Sequence, residues 1–267
     1  MDRDISHPID MLLYRDEYGA PEMRAIFSEE NIVKKWLFMD AALAEVEGEL
    51  GIIPAAAAEE IVKKATGDYV KVSRVAEIAR GKGLDIAAEL SALAEVCENG
   101  AGEFIRLGSA GIDNYETAWG LLIKDALAVT LREMDRLIEV LAELTRKHRH
   151  TLCVARTFGQ HEGPITFGYK TAAWALELHH CKRLLIDGQR DYVVGKATGT
   201  IGNLSSLETF YPGKAASFDQ KVCRKLGLHP SDLTLLFSSH RSVCRSRRRL
   251  TRTSRCAAFN PCSRAVA

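Results

Sequence analysis

Apolar residues recur at three- and four-residue steps along most of this chain. After Ser28, the positions Ile32, Trp36, Met39, Leu43 and Val46 keep to one side of a 3.6-residue period, and Gly51 and Pro54 close the run. That pattern predicts one amphipathic helix of about five turns with Ser28 as its N-cap. Ala55 to Lys64 and Lys71 to Ala79 read as shorter helices, and Ile86 to Cys97 as an Ala/Leu/Glu-rich one that ends at Asn99-Gly100. From Tyr115 to Arg149 nothing breaks a helix after Gly120. Leu127, Leu131, Met134, Ile138 and Leu141 form a continuous stripe there, with Asp125, Arg132, Glu133 and Glu139 mostly off it. At about 1.5 Å per residue such a helix is roughly 45 to 50 Å long, and helices of that length pack in bundles.

A turn-rich link over Thr157 to Pro164 follows, and then a second long helix from about Thr166 to Val193, with Trp174, Leu178, Cys181 and Leu185 on its buried side. Trp36 and Trp174 are expected in the core. Gly195, Gly199 and Gly202 punctuate a loop without forming GxGxxG behind a strand, which excludes a dinucleotide fingerprint. Phe218 to Leu226 is a last short helix. Alternation of strand length is almost absent, so the predicted fold is all-α. A small N-terminal helical domain over residues 1–111 precedes part of a long-helix bundle over 112–239, and a tail occupies 240–267.

Composition changes this picture only at the tail. With 267 residues, 46% of them hydrophobic, the chain can bury a real core, and no apolar run reaches the ~18 residues that span a bilayer. The start, Met1-Asp2-Arg3-Asp4, lacks the layout of a signal peptide, so the expected compartment is the cytoplasm. The seven Cys show no CxxC spacing and read as reduced thiols. Residues 240–267 hold eight Arg and no Lys, Asp or Glu, so the +1 of the whole chain becomes −7 over residues 1–239. Arg/Ser/Cys-rich sequence of this kind is what GC-rich coding DNA gives in a wrong frame, and the authentic chain is expected to stop near Ser239. A natural basic tail is the alternative. A single aromatic residue, Phe259, stands among the arginines, short of the interleaved pattern of an RNA-binding arm, and neither a nucleic-acid nor a membrane partner is expected. His148, His150, His179 and His180 flank helical faces with no third ligand at sensible spacing, so no metal and no other cofactor is expected.

Several short segments carry a resemblance. His7-Pro8-Ile9-Asp10, Tyr18-Gly19-Ala20-Pro21-Glu22-Met23-Arg24, Asp113 with Thr117-Ala118, Arg156-Thr157 through Gly159-Gln160-His161, Pro164 to Lys170, and Gly195-Lys196 with Thr198-Gly199 occur in an order that resembles the adenylosuccinate lyases of the fumarase/aspartase superfamily. The match covers Met1 to about Ser239. The resemblance implies β-elimination of fumarate from adenylosuccinate in purine nucleotide biosynthesis, with a purine nucleotide as the small-molecule partner. It also implies a homo-oligomer, a tetramer, with active sites where subunits meet. Mapped onto this chain it offers His161 as the catalytic proton donor and Tyr18, Asp113, Thr117, Thr157, Gln160 and Lys170 as substrate-binding residues.

Each of these has a second reading. His161 is also a turn histidine, Gln160 a loop tie, Lys170 a solvated helix charge, and Asp113 and Thr117 caps for the long helix. The chain also departs from the family pattern. Phe158 stands where the family's acidic His belongs, Leu84 and Arg106 replace two further His, and Ala110-Gly111 replace a Thr-Ser pair. Glu17 replaces the Arg that grips phosphate. The alternative is therefore a catalytically silent, truncated relative that keeps only fold and self-association.

Overall fold

The computed structural model describes residues 14, 17, 19–83 and 85–231; the expectations placed on Tyr18, Leu84, His7 to Asp10 and the tail from 240 lie outside them. Ten α-helices dominate the described residues: α1 (Pro21–Ile26), α2 (Glu29–Glu49), α3 (Ala55–Lys64), α4 (Val72–Lys82), α5 (Asp85–Val96), α6 (Gly111–Lys147), α7 (Phe167–Asp187), α8 (Gln189–Tyr192), α9 (Ser205–Phe210) and α10 (Ala215–Leu226). None of them is long and apolar enough to cross a membrane. The short strands are β1 (Leu152–Thr157), β2 (Gln160–Thr166), β3 (Val194–Gly195) and β4 (His229–Pro230). The described residues group into two compact units, one of residues up to Ala126 together with those from Val193 onward, the other of Leu127–Tyr192.

In the first unit α2 is the central element. Ser28 caps it as expected, its hydroxyl accepting from the Asn31 N–H at 3.2 Å, and Val33, Trp36, Leu37, Met39, Leu43 and Val46 are buried along its length. Ala57, Ala58 and Ile61 of α3, Ala88, Ala92 and Leu93 of α5, and Phe218 and Val222 of α10 complete the interior. Gly48 allows α2 and α3 to touch, because a Cβ there would stand 2.8 Å from the Ala58 methyl group. Charge is buried in this unit as well. The Arg106 guanidinium grips Asp40 in a bidentate pair at 2.6 and 2.7 Å and also bonds Glu89, while Asn114 donates to the same Asp40 at 2.7 Å. Two carboxylates around one guanidinium need the dense hydrogen bonding seen here to offset their loss of water.

The second unit holds the rest of α6, the β1–β2 pair and α7. The stripe Leu127, Leu131, Met134, Ile138 and Leu141 is half-buried, as are Leu178, Cys181 and Leu185 of α7. Trp174 is not core: it is 46% exposed, with Lys170 Nζ 5.4 Å from its ring centre. The link expected to be irregular folds as an antiparallel hairpin with Leu152 opposite Thr166 and Thr157 opposite Gln160. The second long helix also stops early, at Asp187 and not at Val193. Gly188 caps its end, and the Tyr192 ring occupies the space a side chain there would need. Gly168 has a similar role at the start of α7. A Cβ there would meet the Thr145 carbonyl and the Arg149 Cα at 2.7 Å, so only glycine lets α7 cross the end of α6 this closely.

Candidate functional site

The hairpin builds one group of candidate residues. Phe158 and Gly159 form its two-residue turn, both with positive φ (+53° and +77°), the geometry that matches the right-handed twist of the flanking strands. Register then sets the chemistry. Arg156 lies opposite His161, and its guanidinium donates to His161 Nε2 at 3.4 Å. Guanidinium carries only donors, so Nε2 is the accepting nitrogen and the proton of the neutral ring sits on Nδ1. Thr157 donates its hydroxyl hydrogen to Glu162 at 2.5 Å, which leaves the oxygen with acceptor capacity only. Gln160 is exposed beside them, and its amide has no partner among the described residues. The Phe158 ring is 77% exposed at the tip. Lys170 is exposed on the first turn of α7, its ammonium directed to the Trp174 ring.

Asp113 and Thr117 are fully buried in the first unit and face inward to backbone. Asp113 Oδ2 accepts from the Ala110 N–H at 3.2 Å and from the Gly199 N–H at 2.8 Å, so one carboxylate fastens both the start of α6 and the glycine loop. Thr117 accepts from the Lys196 N–H and donates to the Lys196 carbonyl, both at 2.9 Å. The close approach depends on Gly120, where any Cβ would collide with the Val194 carbonyl. The Lys196 ammonium, 1% exposed, stands 3.3 Å from Glu116 and 3.5 Å from Asp113. Asp219 supports the same loop by accepting from the Ala197 N–H at 2.6 Å. Burial raises the Asp113 carboxyl above its usual range against the opposing pull of Lys196 and the backbone N–H groups, and burial raises Asp219 likewise. Lys196, Glu116 and Asp219 were not among the sequence candidates. The one signal available was the Gly195-Lys196 dipeptide, which gives no hint of its distant carboxylates. Glu17 is exposed in a turn, its N–H bonded to the Tyr14 carbonyl at 3.0 Å. Among the described residues no three His, Cys, Asp or Glu side chains converge as a metal site.

A family model described as "Lyase" matches residues 15–256. The chain belongs to the lyase family. The adenylosuccinate lyase of Methanocaldococcus jannaschii is 41% identical over 224 residues, which cover 84% of this chain and 46% of that protein. An N-acetyl-S-(2-succino)cysteine lyase from Enterococcus italicus is 35% identical over 203 residues, covering 76% and 44%. Among solved structures, a fumarate lyase from Mesorhizobium sp. BNC1 is similar with a TM-score of 0.78 and 28% identity, covering 85% of this chain and 52% of that one. The chain thus spans about half the length of the curated relatives it matches.

The all-α lyase fold and the resemblance to adenylosuccinate lyases therefore hold for this chain. Within the lyase fold the structure brings Thr157, Gln160 and His161 together at one end of the hairpin. Asp113 and Thr117 belong to the other unit, where Thr117 bonds the backbone of Lys196 and Asp113 ties the start of α6 to Gly199.

Proposed function

We propose that this chain is an adenylosuccinate-lyase-like protein of purine nucleotide biosynthesis, whose family reaction is β-elimination of fumarate from adenylosuccinate. In that reaction a proton leaves the carbon beside a carboxylate, the electron pair moves to form the double bond, and the carbon–nitrogen bond breaks as the departing nitrogen gains a proton. In this reading the substrate carboxylate draws the Arg156 guanidinium from His161 Nε2, the ring takes up a second proton and, as the imidazolium, gives it to the departing nitrogen, while the Gln160 amide donates to the same carboxylate. The observation that carries the reading is the cross-strand Arg156–His161 pair, an exposed proton-transfer group held against a cation. A homotetramer in the cytoplasm, with sites completed where subunits meet, belongs to the same proposal.

A second reading, a catalytically silent relative that retains fold and self-association, is favoured by Phe158. It can neither give nor take a proton, and it occupies the exposed tip of the turn where the resemblance places the acid. The assay follows fumarate release by absorbance with purified protein, using adenylosuccinate and, because a succinyl-thioether lyase is among the relatives, N-acetyl-S-(2-succino)cysteine. Turnover that falls ~10²-fold or more in His161→Ala supports the first reading, since a general acid contributes about 10²- to 10⁴-fold. Turnover at background for both substrates establishes the second.

A further inference from the structure

The glycine loop leaves its strand at Gly195, where the β3–β4 pairing ends, and from there side chains take over the backbone. The Lys196 N–H goes to Thr117 Oγ1 at 2.9 Å, the Ala197 N–H to Asp219 Oδ1 at 2.6 Å and the Gly199 N–H to Asp113 Oδ2 at 2.8 Å. α6 and α10 close on the loop from two sides, since a Cβ at Gly195 would stand 3.2 Å from Thr117 Cγ2 and 3.3 Å from Cys223 Sγ. Backbone carbonyls, the usual partners of such N–H groups, do not titrate. Two of these three acceptors do.

The charges around them do not balance. Lys196 brings one ammonium, 3.3 Å from Glu116 and 3.5 Å from Asp113, against the three carboxyl groups of Asp113, Glu116 and Asp219. All four side chains are at most 8% exposed. Asp113 Oδ1, both Glu116 oxygens and Lys196 Nζ have no hydrogen-bond partner among the described residues. Charges buried in this way repel at short range with little water to screen them. Burial raises the Asp113 carboxyl, against the pull of Lys196 and of the Gly199, Ala110 and Thr198 N–H groups. Burial raises Asp219 as well, and the charge of Asp113 adds to the rise. The group facing them from further along α10 is the Cys223 thiol, 3.9 Å from Asp219 Oδ1, which burial pushes up so that it stays neutral.

We propose that this cluster is a proton-operated latch on the glycine loop: it holds Lys196 to Gly199 against α6 and α10 while Asp113 or Asp219 is neutral, and loosens when both are ionised. In the loosened segment the two carboxyls meet water and titrate in the ordinary aspartate range; in the held segment they keep a proton to higher pH. The proton therefore favours the held form. That support is complete below the ordinary value of 3.8 and is lost as pH rises through the raised ones. The latch involves no turnover, so it stands or falls apart from the lyase reading.

The test is hydrogen exchange of the full chain, read by mass spectrometry on the peptide of residues 194–200 from about pH 4 to 8. Dividing by exchange of the urea-unfolded chain at each pH removes the intrinsic dependence, and buried peptides of α2 report opening of the whole unit. Protection of the 194–200 peptide is expected to fall about tenfold relative to α2 as pH rises, the effect of one proton whose affinity differs tenfold between the two forms. Asp219→Asn keeps an oxygen for the Ala197 N–H and removes the repulsion. It is expected to abolish most of the fall and to protect the loop better than the parent chain at about pH 8. A parent profile that runs parallel to α2 throughout overturns the proposal, whether or not the variant folds. So does a fall of undiminished size in Asp219→Asn.

Discussion

Thr117 holds the backbone of Lys196 from both sides, accepting from its N–H and donating to its carbonyl at 2.9 Å each. A side chain expected to meet substrate is thus the fastener between α6 and the glycine loop. Thr117→Val keeps the shape and removes both bonds, stranding a buried donor and a buried acceptor. The expected loss is about 2 to 4 kcal/mol, read as a lower urea midpoint at unchanged slope. Thr117→Ser retains the hydroxyl and is expected to cost about 1 kcal/mol, the loss of one buried methyl group. Equal losses for the two variants would show that packing, and not hydrogen bonding, joins these elements.

The helices were legible because each is amphipathic and punctuated by its own residues. Ser28, Pro54 and Gly227 fix boundaries by local chemistry that one sequence displays. The hairpin was not legible, since Phe158-Gly159 is not the Asn-Gly that signals a two-residue turn, and a bulge between Val154 and Arg156 interrupts the alternation. Trp174 was misplaced because helical spacing identifies a face without saying whether anything covers it. For the candidate site, the sequence named Asp113 and Thr117 but not their partner, because Lys196 lies 79 residues from Thr117 and only the fold brings them together.

Glu47 is fully buried on α2, and neither of its oxygens has a hydrogen-bond partner. Burial, with the negative charge of Asp40 adding to it, pushes its carboxyl up from 4.5 to about 9. Because the folded value exceeds the unfolded one, the unfolded chain releases this proton first. The stability linked to Glu47 is present in full below about pH 4.5 and is lost as pH rises towards 9. Glu47→Gln removes that titration. The stability difference between the parent chain and Glu47→Gln is therefore expected to shift against the parent by up to about 1.4 kcal/mol per pH unit across this window, as measured by urea unfolding at several pH values. A difference that stays constant from pH 5 to 9 would show that Glu47 is ionised in the fold.

Arg106 is the only cation bonded to both Asp40 and Glu89 among the described residues, and it adopts positive φ (+60°) to reach them. Arg106→Met leaves two carboxylates buried without a counter-charge, an expected cost of about 3 to 5 kcal/mol. Arg106→Lys is expected to recover little of this, because an ammonium cannot reproduce the bidentate grip on Asp40. Thermal unfolding of both variants measures the effect. The Arg106→Met deficit should shrink on acidification, because burial and the neighbouring Asp40 charge already hold the Glu89 carboxyl well above its usual range and its protonation relieves the repulsion.

Phe158 holds a left-handed backbone that a bulky residue adopts only with strain, and its ring gains no burial in return. Asparagine at this position suits the turn, and Phe158→Asn is expected to stabilise the protein by roughly 0.5 to 1.5 kcal/mol, visible as a higher unfolding midpoint. Phe158→His is expected to fit the same backbone with at most a small gain. Under the proposed reading histidine there supplies the proton donor of the family pattern, but the hydroxyls and the cation which that pattern has at Ala110, Gly111 and Glu17 stay absent. The single replacement should therefore leave fumarate release within about tenfold of the parent chain, since several independent contributions to the transition state are missing at once. Rescue by Phe158→His alone, to the rate of an intact relative, would mean that those other positions do not enter the reaction and that the turn is the whole of the defect.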